Sequence, residues 1–162
     1  MLSNVKNFTR RFAAVVLAMS ATLAVAQADD HDGQKRTADN AKWKNECSAC
    51  HVAYPPRMLP VESWRAIMLG LDKHFGSDAS LDAATANEIT AFLEKNASTK
   101  KHGILAKPLL RITETGWFKS EHREVGARVW KNPKVKSPAN CGACHTKAES
   151  GDFDEDNVKI PK

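Results

Sequence analysis

Aromatic residues and cysteines are scarce in this sequence, and several common patterns are missing from it. Aromatic residues make up 7% of the 162 residues, and there are four cysteines. Beyond residue 28, no stretch is apolar enough to span a membrane, and none alternates between apolar and polar residues as a half-buried strand does. No run of lysine and arginine marks a nucleic-acid interface. These absences argue against an integral membrane protein, an all-β domain and a polyanion-binding protein.

The first 28 residues have the pattern of a secretory signal peptide. Three basic residues precede an apolar run over residues 12–25, and a small-x-small cleavage site ends at residue 26 or 28. The run is shorter than the ~20 residues that a membrane span requires. We therefore predict a cleaved signal over 1–28 and a soluble, periplasmic mature chain. Removing three basic residues from a formal net charge of +5 leaves +2.

The mature chain is predicted to be mainly α. Residues 29–40 are polar and aperiodic, which indicates a flexible lead-in. Three prolines within residues 51–60 preclude regular helix there. Apolar residues recur at helical spacing elsewhere, and Ser80 is a good N-cap for the third segment. The predicted helices are 41–50, 61–75, 81–96 and 117–130.

A linker containing Gly103 and Pro108 divides the mature chain. It follows the third predicted helix and has no strong periodicity. We expect two small helical lobes, over 41–100 and 101–162, with long irregular connections. The acidic end of the second lobe, from residue 150, is expected to be extended.

Two copies of one motif use up all four cysteines. They read CSACH, from Cys47 to His51, and CGACH, from Cys141 to His145. C-x-x-C-H is the attachment signature of c-type haem. The two thiols add to the porphyrin's vinyl groups, and the adjacent histidine lies under the iron as its proximal ligand. The sequence thus predicts two covalently attached haems, held by Cys47, Cys50, His51, Cys141, Cys144 and His145.

Three other uses of paired cysteines fit less well. A four-thiolate zinc site would leave the histidine after each pair unexplained. A thioredoxin-like redox pair expects a βαβ surrounding that the sequence lacks. A disulfide within C-x-x-C closes a very short loop, and the stabilisation from a disulfide falls with loop size.

The sixth position on each iron calls for a second soft or imidazole ligand. His74 and His122 each lie among apolar residues at helical spacing, where an unpartnered imidazole would be costly to bury. We predict His74 for the first iron and His122 for the second, although exchange of these partners between lobes stays open. His102 is a reserve ligand, and His31 is expected to be solvated. Met68 shares an apolar helix face and is expected to pack in the core.

At these residues the sequence resembles the dihaem cytochrome c family of small exported proteins. The resemblance covers roughly residues 47–161. It implies two covalent haems with two histidine ligands each, and electron exchange with other cytochromes. By position, it implies His51 and His145 as proximal and His74 and His122 as distal ligands. The resemblance depends on the segments CSACHVAYPPRMLPVESWRAIMLGLDKHFGSDASLDAAT, PLLRITETGWFKSEHREV and NCGACHTKAESGDFDEDNVKIP.

The function that follows is electron transfer and not catalysis. An iron with two histidine ligands has no open position for oxygen or peroxide, and imidazole pairs give low potentials. The resemblance suggests a small oxygen-binding monohaem cytochrome c or a membrane cytochrome b as partner. Three alternatives stay open: a small dihaem enzyme such as a peroxidase or reductase, an electron-delivering subunit of a periplasmic reductase, and a haem-based sensor.

Overall fold

The computed structural model describes residues 38–100 and 107–162. These all belong to one compact unit, Gln34–Lys162. The predicted signal peptide, most of the lead-in, His31 and His102 lie outside the described residues. Within the described ranges, no helix is long and apolar enough to cross a membrane.

The described chain is helical, as predicted. In residues 38–100 and 107–162 there is no strand, only three isolated bridges between single residues. The α-helices are α1 (Ala41–Cys47), α2 (Val61–Leu69), α3 (Ala83–Lys95), α4 (Gly116–Glu121) and α5 (Ala127–Trp130). Short 3₁₀ turns connect them at Pro56–Met58, Leu71–Lys73, Ile112–Glu114, Cys141–Ala143, Ala148–Ser150 and Glu155–Asn157.

The first three helices surround the main hydrophobic core. The α2 helix packs on α3, and α1 crosses α3 as well. Trp43 of α1 meets Phe92 of α3 with ring centroids 5.2 Å apart. Met68 lies partly buried against this core. The core residues that are fully or almost fully buried are Trp43, Leu59, Trp64, Ile89 and Leu93.

Helix boundaries differ from the predictions for identifiable reasons. The α1 helix ends at Cys47, and a turn carries the rest of the first motif. The predicted helix over 61–75 ends at Leu69, because Gly70 ends it and the chain tightens into a 3₁₀ turn. The N-cap of α3 is Asp82, whose carboxylate accepts a hydrogen bond from the Thr85 backbone N–H; Ser80 lies outside the helix.

The prediction of one continuous helix over 117–130 is wrong, and the error concerns a predicted ligand, His122. Residues 117–130 form two helices, α4 and α5, with a break from His122 to Gly126. Gly126 precedes α5 in an extended conformation that interrupts the helical backbone. His74 and His122 therefore both follow helical segments and do not lie inside them. The acidic end of the chain also differs from prediction, because it folds into a 3₁₀ turn and returns to the second motif.

Candidate functional site: two cysteine pairs, each beside a histidine pair

The first motif lies where α1 ends. The Asn40 side chain caps α1 by accepting a hydrogen bond from the Trp43 backbone N–H at 2.8 Å, and Trp43 anchors the helix in the core. Cys47 is the last helical residue and half-buried, whereas Cys50 is exposed. The end of the helix and the turn after it thus present two thiols three residues apart, as attachment to one porphyrin edge requires.

His74 lies beside His51, the histidine of the first motif. Their ring centroids are 6.2 Å apart, and the ring planes differ by 30°. A tight reversal follows His74, in which the Ser77 backbone N–H donates to the His74 carbonyl at 3.0 Å. Phe75 and Gly76 turn the chain with positive φ values of 51° and 98°. Glycine accepts such a φ freely, whereas Phe75 pays a conformational cost that marks a constrained site.

The second motif begins in a 3₁₀ turn, Cys141–Ala143, and its histidine faces His122. The ring centroids of His122 and His145 are 6.1 Å apart, and the ring planes differ by 66°. His122 is the C-cap of α4. Its ring stacks on that of Phe118, with ring centroids 4.0 Å apart. The ring centroid of Trp130, in α5, lies 6.0 Å from that of His122. Phe118 lies one helical turn before His122, whereas the break between α4 and α5 allows Trp130 to reach it.

The two histidine pairs have nearly the same separation, and that separation fits one iron. A metal-bound imidazole nitrogen lies about 2 Å from the metal and about 1 Å from its own ring centre, so two imidazoles on one iron have centres roughly 6 Å apart. The observed values are 6.2 Å and 6.1 Å. Each pair therefore fits a single iron held between two imidazoles.

The ring nitrogens support the same assignment. Nδ1 of His51 donates to the Val52 carbonyl at 2.8 Å, and Nδ1 of His122 donates to the Phe118 carbonyl at 2.9 Å. Because a carbonyl only accepts, these bonds place the proton on Nδ1 and leave the Nε2 lone pair for a metal. Burial, with the neighbouring histidine as a second cause, lowers the pKa of His74 and of His145, which favours the neutral, ligating imidazole.

All four cysteines are free of disulfide bonds, so each is available to form a thioether with a vinyl group. Burial raises the pKa of Cys47 and of Cys141 to about 11, and it also raises the pKa of Cys144.

The competing uses of the cysteines find no support in the geometry. Among residues 38–100 and 107–162, no three histidine, cysteine or acidic side chains are grouped to hold a single metal ion. The two cysteine pairs therefore do not assemble a four-thiolate zinc site. The described part of the chain also lacks the βαβ surrounding of a thioredoxin-like pair.

One contact at the site was not foreseen from the sequence. Tyr54 stacks on His51, with ring centroids 4.7 Å apart, and its hydroxyl donates to the Ala139 carbonyl at 2.7 Å. The only signal in the sequence is that this is the sole tyrosine and that it lies three residues after the first motif. Nothing local points to a partner 85 residues away.

The chain is similar to a known family and to solved structures. The model of the dihaem cytochrome c family matches residues 43–153. A solved dihaem cytochrome c from Rhodobacter sphaeroides is 42% identical, with a TM-score of 0.66, over 72% of this chain and 98% of that one. The dihaem c-type cytochrome sb-DHC from Shewanella baltica OS155 is 41% identical, with a TM-score of 0.66, over 75% and 93%. No curated protein matches the chain.

Proposed function

Since the chain belongs to the dihaem cytochrome c family, we propose that it is a periplasmic electron carrier whose two irons are each closed by a pair of histidines. Membership of the family makes it a haem protein that functions in electron transfer. Its two haems are attached through Cys47 and Cys50 and through Cys141 and Cys144. The closed irons, the location and the partners are the finer parts of the proposal.

The observation that carries the proposal is the equal spacing of the two histidine pairs. Both pairs leave room for one iron, at 6.2 Å and 6.1 Å between ring centres. We assign His51 and His74 to the first iron, and His145 and His122 to the second. Each pair would supply two imidazole ligands to the iron that it holds, and an iron held in this way would bind oxygen or peroxide only by losing a ligand. This favours electron transfer over catalysis.

Each bound haem supplies an iron that takes up or releases one electron. The chain supplies the placement. The cysteines hold the haem edge, and Phe118 and Trp130 fix the ring of His122. The hydrogen bonds from Nδ1 of His51 and His122 make these imidazoles stronger electron donors to iron, which favours the ferric state. Both haems are therefore proposed to have lower potentials than a histidine–methionine haem, whose thioether raises the potential.

The low net charge of the mature chain bears on its partners. A predicted charge of +2 provides little long-range attraction, so docking depends on local patches. We propose other cytochromes as partners, with a small oxygen-binding monohaem cytochrome c or a membrane cytochrome b as the candidates that the resemblance suggests. The predicted signal over residues 1–28 supports a periplasmic location.

Carbon monoxide binding tests whether the irons are closed. The reduced wild-type protein is expected to show no carbon monoxide difference spectrum, because neither ferrous iron has an open position. His122→Ala serves as the positive control, since it removes one proposed ligand and is expected to bind carbon monoxide at one of the two haems. Strong binding to the wild type would instead support the dihaem enzyme or the haem-based sensor.

A further inference from the structure

One side chain links the first haem-attachment motif to the loop just before the second. The ring of Tyr54 stacks on His51, with centroids 4.7 Å apart and planes within 19°. The other end of the same ring carries the hydroxyl that donates to the Ala139 carbonyl at 2.7 Å. Ala139 lies two residues before Cys141. Tyr54 thus spans from the first motif's histidine to the loop that leads into the second motif.

The Ala139 carbonyl has a second donor that haem attachment removes. The Cys141 thiol donates to the same carbonyl at 3.6 Å. Once Cys141 forms a thioether, it has no S–H hydrogen to donate. The Tyr54 hydroxyl then remains as the side-chain donor to this carbonyl, and it makes the shorter bond of the two.

The peptide around Tyr54 is well placed to hold the loop. Val52 also lies close to the second motif, since one of its methyl carbons is 4.0 Å from the position that a Cβ on Gly142 would occupy. Pro55 and Pro56 follow Tyr54 and are fully buried, which limits the freedom of the backbone. The Pro56 carbonyl accepts a hydrogen bond from Trp64 at 2.7 Å, so the segment is fixed to the core.

The geometry of the contact sets the direction of the hydrogen bond. A backbone carbonyl only accepts, so the Tyr54 hydroxyl is the donor to the Ala139 carbonyl at 2.7 Å.

We propose that Tyr54 is a positioning residue that joins the proximal ligand of the first haem to the attachment loop of the second, so that the second haem's potential depends on a side chain of the first site. This rests on the two-haem assignment above. Tyr54 is no redox intermediate in this proposal, and electron exchange between two bound haems would need no proton from it. The tyrosine stays protonated and unoxidised.

Tyr54→Phe isolates the hydroxyl, because phenylalanine keeps the ring on His51 and lacks the donor. Without that donor, the negative end of the Ala139 carbonyl beside the second haem is no longer compensated, which favours ferric iron. We expect the midpoint potential of the second haem to fall by roughly 30 mV, which corresponds to an about threefold lower ratio of reduced to oxidised haem at a fixed potential. The first haem is expected to keep its potential.

Two further variants separate the ring from the hydroxyl and from general stability. Tyr54→Leu removes both the stack and the donor, and it is expected to shift both potentials. Trp64→Phe removes an equally short bond from an aromatic N–H to the Pro56 carbonyl, yet it touches neither motif's histidine. It is expected to lower stability and to leave the second haem's potential unchanged.

The measurement is a potentiometric titration followed by visible and electron paramagnetic resonance spectra, on protein with two covalent haems. The haems are distinguished by His122→Ala, which changes the second spectrum. The proposal is overturned if the second haem has the same potential in Tyr54→Phe as in the wild type. It is also overturned if Tyr54→Phe and Trp64→Phe shift that potential by equal amounts. Failure of the closed-iron function would appear separately, as high-spin iron in the wild type before any substitution at Tyr54.

Discussion

The two histidine pairs are equally spaced, but the chain supports them by different means. Residues 38–100 support the first pair with three helices around a core of large side chains. Residues 107–162 have only two short helices, and the chain end folds back to hold the second motif. There, the Thr146 backbone N–H donates to the Asn157 carbonyl at 3.2 Å, and the Lys159 backbone N–H donates to the Cys144 carbonyl at 2.8 Å. The same ligand spacing thus arises from hydrophobic packing in one region and from loop hydrogen bonds in the other.

The hydrogen bonds of the histidines are reversed between the regions. In the first, the motif histidine His51 has a bonded Nδ1. In the second, the remote histidine His122 has the bonded Nδ1, whereas Nδ1 of His145 is buried without a hydrogen-bond partner. Since such bonds orient the ring and raise its basicity, the two irons have unequal ligand sets. We expect two distinguishable haems.

The largest effect is expected from the core of the first region. Trp43 is 4% exposed, and it anchors the helix that carries Cys47. Trp43→Ala is expected to cost about 3–5 kcal/mol, because removing a large buried side chain leaves a cavity. Thermal unfolding of the haem-loaded protein measures this loss. Trp117→Ala is the matched control, since Trp117 is 44% exposed, and an equal loss there would contradict the assigned core.

The second region is expected to respond to the loss of a single cap. The buried Thr115 hydroxyl accepts a hydrogen bond from the Phe118 backbone N–H at 3.1 Å, and this begins the helix that leads to His122. Thr115→Ala is expected to cost about 1 kcal/mol. Thr115→Ser keeps the hydroxyl and controls for the lost methyl group.

Thermal unfolding and amide hydrogen exchange over residues 116–122 check the Thr115 prediction. Exchange there is expected to be faster in Thr115→Ala than in the wild type and in Thr115→Ser. Identical exchange in all three would show that the cap does not hold α4.

The sequence predicts the two haem-attachment motifs more directly than the two remote histidines. The cysteines and motif histidines follow from local spacing alone, because C-x-x-C-H is contiguous. Helical periodicity predicts His74 and His122 on helix faces, yet each lies just beyond a helix end. That placement is wrong because apolar neighbours at this spacing also arise where a chain turns around a buried group. The role of both residues as iron ligands stays a prediction.

Other features depend on contacts that no local pattern contains. Gly70 and the break before Gly126 end helices that the apolar periodicity would continue. The bond from Tyr54 to Ala139 joins residues 85 positions apart. The return of the acidic chain end to the second motif likewise depends on backbone hydrogen bonds. The division into lobes at residues 100 and 101 stays a prediction.

The smallest expected effect concerns charge beside the second iron. Burial and His122 lower the pKa of His145, and the Asp152 carboxylate opposes them. The same negative charge favours ferric over ferrous iron. Asp152→Asn is therefore expected to raise the potential of the second haem by roughly 20 mV and to leave that of the first haem unchanged. This shift corresponds to an about twofold higher ratio of reduced to oxidised second haem at a fixed potential.

A potentiometric titration checks the Asp152 prediction, with Asp156→Asn as its control. Asp156 lies on the same acidic loop and is exposed. Equal shifts in both variants would indicate a general charge effect and no specific role for Asp152 beside His145.

Electron paramagnetic resonance of the oxidised wild-type protein, compared with His74→Ala, tests the central claim most directly. The angle between the two imidazole planes controls the orbital splitting of a low-spin ferric iron, and the pairs differ, at 30° and 66°. We predict two low-spin signals, with the more anisotropic one from the His122–His145 pair, and no high-spin iron. His74→Ala is predicted to convert only the other signal to high spin. High-spin iron in the wild type, or two low-spin signals that survive in His74→Ala, would contradict the account.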